Sequence, residues 1–181
     1  MNSRVYFVAM SKPIEPDPDF TRRKRLRFVV VVLLLLGAST LAALANPTIK
    51  TNWNTYAVTA TGVDQILRQM KQKGPNGFWA YTRWYVRWTG SCKVSLEISY
   101  TMPQHTNRNA MPANIRAEWD NMIAALKAHE EQHGAHGINA ARELVQKGCR
   151  NGDAIVAKWS EQDRLYARRT GHGRTEGVVF P

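Results

Sequence analysis

Cys92-Lys93-Val94-Ser95-Leu96-Glu97-Ile98-Ser99-Tyr100-Thr101-Met102 alternates apolar and polar side chains without a break. That two-residue period marks a strand with one face on a core and the other in water. Just upstream, Thr89-Gly90-Ser91 is a turn. Before it, Phe78 to Trp88 is rich in aromatic and β-branched residues, with Ala80, Thr82, Trp84, Val86 and Trp88 on one face. The two segments read as an antiparallel hairpin.

Working outward, Thr55 to Thr61 is short and β-leaning, and Val63, Ile66, Leu67 and Met70 recur at helical spacing until Lys73-Gly74-Pro75 stops them. Downstream, Pro103 to Pro112 is polar. Ile115, Trp119, Met122, Ile123 and Leu126 then mark one face of a long helix that runs into a histidine-rich stretch, and a last helix spans about Asp153 to Arg168. The order is strand, helix, two strands, two helices, with no repeat and no βαβ alternation. It predicts an α+β class: a small antiparallel sheet packed against the long motif-bearing helix and a C-terminal helix.

The N-terminal quarter is of a different kind. Arg22-Arg23-Lys24-Arg25-Leu26-Arg27 precedes an uncharged apolar run from Phe28 to Ala45 that ends Ala43-Leu44-Ala45. This is the pattern of an export signal cut before Asn46, or of an uncleaved anchor just long enough to span a bilayer. Met1 to Phe20 is long for the leading part of a signal, and Met10 offers a second start. In either case the basic cluster stays cytoplasmic, so residues 1–45 are read as signal peptide or anchor. Residues 46–181 are read as one domain, periplasmic or secreted and possibly tethered to the inner membrane by residues 28–45.

The 181-residue chain carries a net charge of +11; seven of its 25 basic and three of its 14 acidic residues precede Asn46, which leaves +7 on the exported part. The charge is scattered and never interleaved with aromatics, so no nucleic-acid partner is expected. An anionic membrane surface or cell-wall polymer suits it better. The two cysteines, Cys92 and Cys149, both follow the leader and are expected to form one disulfide.

The chemistry lies in His129-Glu130-Glu131-Gln132-His133, an HExxH pattern on the long helix. Residues four apart on a helix are offset by only about 40°, so two imidazoles converge on one zinc ion. Glu130 stands beside that point, where a carboxylate serves as general base for a zinc-activated water. The expected reaction is amide hydrolysis of a protein or peptide substrate.

A third ligand decides between a metal site and a solvated helix face. Residue 139 is Asn139, so the HExxHxxGxxH arrangement is excluded. His136 lies about 10 Å along the axis from His129 unless Gly134 or Gly137 breaks the helix. Glu161 and Asp163 on the next helix are alternatives. His172, in the flexible Thr170-Gly171-His172-Gly173 turn, is favoured. Tyr166, one turn earlier, is a candidate oxyanion donor. The tryptophans are read chiefly as core.

Several of these residues occur together in a known bacterial family. Gly74-Pro75, Thr82-x-Trp84, Cys92, Met102-Pro103, Trp119, the 129–133 motif and Asp163-x-x-Tyr166-x-x-x-Thr170-x-His172-Gly173 resemble the predicted secreted zinc-dependent proteases, a domain-of-unknown-function family. The resemblance runs from Tyr56 to Gly177. It implies an extracytoplasmic metalloprotease and draws attention to His172. The competing expectation is a non-catalytic envelope module with a structural or vestigial metal. A hydrolase of peptidoglycan cross-links is a third.

Overall fold

A computed structural model describes residues 46–181. The expected signal or anchor segment lies outside the described residues. Among the described residues no helix is long and apolar enough to cross a membrane.

Three strands and three helices form the fold: β1 (Thr48–Val58), α1 (Val63–Lys73), β2 (Tyr81–Trp88), β3 (Val94–His105), α2 (Ala113–Gln146) and α3 (Gly152–Arg169). Three 3-10 turns, Pro75–Gly77, Arg108–Ala110 and Arg174–Glu176, lie between and after these elements. The class is α+β, with the sheet packed on the motif-bearing α2 and the C-terminal α3. The hairpin pairs antiparallel, Trp84 opposite Ile98.

The sheet as a whole is mixed rather than antiparallel, in the order β1-β3-β2. β1 lies on the far side of β3 and runs parallel to it, with Trp53 beside Tyr100. The cause is the connection: α1 and the turn after it return the chain to the end of the sheet where β1 finished. β2 therefore runs back, and β3 comes up again alongside β1. β1 is also longer and earlier than Thr55–Thr61, because an edge strand exposed over most of its length has no buried face to impose alternation.

The alternation of β3 does what its period dictates. Val94, Leu96, Ile98, Tyr100 and Met102 are all buried against the helices. Two apolar clusters result. One gathers Val58, Ile66, Met70, Met102, Trp119, Met122 and Leu126. The other gathers Leu96, Ile98, Tyr100, Ala141, Leu144 and Ile155. α2, about 51 Å long at 1.5 Å per residue, contributes its first half to one cluster and its last third to the other. The histidine motif occupies the stretch between them.

The Cys92–Cys149 disulfide is present and ties the β2–β3 turn to the end of α2. Closing a 57-residue separation contributes about 4 kcal/mol in the chain-entropy model.

Candidate metal centre

His129 and Glu130 are only 4% and 5% exposed, an arrangement that polar side chains tolerate only with partners. α2 brings them there unbroken, since Gly134 and Gly137 do not interrupt it. Both glycines make room instead. A Cβ on Gly134 would lie 1.9 Å from the Tyr100 hydroxyl oxygen, and one on Gly137 would lie 2.8 Å from Cγ of Trp84. The two glycines thus let α2 approach the hairpin closely enough for Thr82 of β2 to reach the motif. Its hydroxyl donates to Glu130 Oε2 at 2.5 Å.

His129 and His133 point their Nε2 atoms at each other, 3.2 Å apart. Their Nδ1 atoms face carboxylates: His129 meets Glu176 Oε2 at 2.7 Å, and His133 meets Asp163 Oδ1 at 2.7 Å. Burial alone would raise both acids. The hydrogen bonds from His133 and His136 to Asp163, and from His129 and Tyr166 to Glu176, outweigh it and hold both below the ordinary carboxylate range. An ionised carboxylate only accepts, so each Nδ1 carries the hydrogen and each Nε2 is left with a lone pair. Two lone pairs facing at 3.2 Å need a cation between them, a proton or a metal. Burial pushes His133 down, but Asp163 in particular, with Glu130 and Glu176, reverses this and raises it, so the site favours positive charge.

Glu130 is pushed up by desolvation, against the opposing pull of the Thr82 hydroxyl and the two histidines. It is therefore a stronger base than an exposed carboxylate. A cavity of about 530 Å³ opens beside it. Its lining includes His129, Glu130 and His133 together with Phe78, Trp79, Leu126 and Phe180, and also Arg164, His172 and Arg174.

The remaining sequence candidates separate clearly. His172 lines the same cavity as the motif, exposed and against the Phe78 ring at 5.4 Å between centroids. Its backbone is in the left-handed region at φ 55°. Thr170 locks that turn, donating its hydroxyl to the Tyr166 carbonyl and accepting from the Gly173 N–H. Gly173 lies so close to the motif that a Cβ there would sit 3.0 Å from Cγ of His129.

Asp163 joins the site as a hydrogen-bond acceptor. It takes Nδ1 of both His133 and His136 on the same oxygen, at 2.7 and 2.8 Å. His133, His136 and Asp163 form a group of three that could hold a metal ion. His136, placed too far along the helix axis to share an ion with His129, is thus brought in through α3. Glu161 faces away, pairing with Arg164 and Arg168 at the surface. Tyr166 packs behind the motif. Its ring stacks on His129 and its hydroxyl donates to Glu176.

Residues 53–173 match a family model described as a bacterial protein of unknown function, DUF922. The chain belongs to this family. No curated protein and no solved structure matches it. The DUF922 match covers Thr82, the 129–133 motif, His136, Asp163, Tyr166 and His172, and the family's description assigns no activity. Glu176 lies beyond the matched residues.

Thr82 and Glu176 are the site residues that sequence reasoning did not single out for chemistry. Thr82 looks like any strand residue until β2 is laid on α2. Glu176 had one available signal, as the last acidic residue after the His172-Gly173 turn, but no periodicity places it.

Proposed function

We propose that this DUF922 domain is a zinc-dependent hydrolase of the peptidase class, with His129 and His133 holding the ion through Nε2 and Glu130 as general base. One observation carries the reading: the two Nε2 lone pairs face each other at 3.2 Å, each ring fixed from behind by an ionised carboxylate. A tetrahedral ion with bonds of about 2.0 to 2.1 Å to both nitrogens sets them about 3.3 Å apart, so the residues fit the ion. Histidines fixed by carboxylates behind them are the usual support of such ligands.

When bound, zinc supplies Lewis-acid chemistry, polarising an amide carbonyl and making a water more acidic. Glu130, desolvated and oriented by Thr82, takes the proton of the attacking water and returns it to the leaving nitrogen. His172 is proposed as the third protein ligand. Its support is that it lines the same cavity and is anchored beside His129 through Gly173. The competing set of His133, His136 and Asp163 is already satisfied by hydrogen bonds through both Nδ1 atoms. The apolar wall around Phe78, Trp79 and Phe180 suits a protein or peptide chain, including a cell-wall peptide. The disulfide supports an oxidising location, periplasmic or secreted.

The test is hydrolysis of casein and of purified cell wall by the zinc-loaded protein. Glu130→Gln is expected to keep its metal and lose about 10²- to 10⁴-fold in rate. Unchanged turnover in that variant would remove Glu130 from the mechanism. Absence of turnover by the zinc-loaded native protein on a broad peptide library would favour the non-catalytic module.

A further inference from the structure

The two edges of the sheet are guarded differently. β2 carries Arg83 and Arg87 and shares a surface hollow with Val156, Ser160 and Arg164 of α3. Charges and a covering helix are the usual protection of an edge against pairing with another chain. β1 has neither. Its residues Thr48–Val58 contain one charge, Lys50, and no proline, and are exposed at most positions. Among the described residues it pairs only with β3. Ile49 and Trp53, four apart and so on one face, are 40% and 47% exposed.

The sequence of that edge indicates its occupant. Thr51-Asn52-Trp53-Asn54-Thr55 reads the same in both directions. A two-fold axis sets a strand antiparallel to its own copy. With the axis at Trp53, Trp53 stands opposite Trp53, Asn52 opposite Asn54, Thr51 opposite Thr55, and Lys50 opposite Tyr56. Aromatic and threonine cross-strand pairs are favourable, and no like charges meet. The side chains are already held in place. Asn52 and Asn54 donate to Glu97 and Ser99 at 3.2 and 3.0 Å, and Trp53 stacks on Tyr100 at 4.2 Å between centroids.

We propose that a second copy of this chain docks antiparallel along β1, joining two three-stranded sheets into one of six strands. The inference is independent of the hydrolase reading.

The test is sedimentation of the full chain in detergent micelles, for the native protein and two double variants. Asn52→Lys with Asn54→Lys sets lysine opposite lysine at both symmetric pairs, and Asn52→Glu with Asn54→Glu does the same with glutamate. A native dimer is expected. Each variant alone is expected to raise the dimer dissociation constant by about 10-fold or more, and an equal mixture of the two is expected to restore dimers. A monomeric native chain, variants as dimeric as the native protein, or a mixture that fails to reassociate would overturn the proposal. As a check independent of charge, chains with Asn52→Cys mixed with chains carrying Asn54→Cys should form a disulfide between copies under mild oxidation. Cross-linking no better than either variant alone would count against it.

Discussion

Each side chain of the centre is defined by what stands behind it. Glu176 and Asp163 fix the tautomers of His129 and His133, and Thr82 fixes Glu130. Replacing Glu176 by Gln removes the charge behind His129 and frees the amide to present a donor to Nδ1. Zinc affinity, measured by competition with a chromophoric chelator, is expected to fall by about 10- to 100-fold, with folded helix content retained. An unchanged affinity would show that Glu176 does not position a ligand. The proposed ligand pair and base were legible as a motif because HExxH spacing acts within one helix. Asp163 was singled out as a candidate ligand but not as the acceptor from His133, 30 positions away, and Glu176, 47 positions from His129, was not singled out. Tyr166 was read as an oxyanion donor or a packed structural tyrosine; its hydroxyl bonds Glu176, a partner that helical phase does not reveal.

At the scale of elements, the closeness of α2 to the hairpin depends on Gly134 and Gly137. Gly137→Ala gains up to about 1 kcal/mol of helix propensity. The new methyl, however, meets Cβ and Cγ of Trp84 at 2.9 and 2.8 Å, atoms too near the backbone to swing aside. Overpacking of this kind costs about 1–3 kcal/mol, so net destabilisation is expected in urea titration. A more stable variant would show that α2 has slack against β2.

The α2–α3 pairing supplies a pH signature. Hydrogen bonds from Lys158 and from the Trp159 indole, the latter at 2.7 Å, hold Glu143 below the ordinary carboxylate range. A depressed carboxylate stabilises the fold above its unfolded pKa, about 4, and that contribution is lost as pH falls through the folded value. Glu143→Gln should therefore be less stable than the native chain at pH 7, and the two should converge in acid. A difference that persisted below pH 3 would assign the effect to packing. The long, regular elements were readable from period alone. β1 was read late and short because its edge position leaves it without a buried face, and its parallel pairing follows from chain return rather than from any residue pattern.

Across the whole molecule, two apolar clusters frame a polar centre, and one helix serves all three. The α+β class and the disulfide pair were legible, the first from alternating and helical periods, the second from an even cysteine count in a domain read as exported. The depth of the site was not, because burial of His129 and Glu130 requires β2, β3, α3 and the C-terminal turn to close around α2. The most direct test of the centre is metal content by elemental analysis of the purified chain, compared across His129→Ala, His133→Ala, His136→Ala and His172→Ala. One zinc per native chain is expected, lost in the first two variants, weakened in His172→Ala and kept in His136→Ala. Zinc kept in His129→Ala but lost in His136→Ala would move the ion to the His133, His136 and Asp163 group, and a metal-free native chain after zinc-replete preparation would contradict the centre altogether.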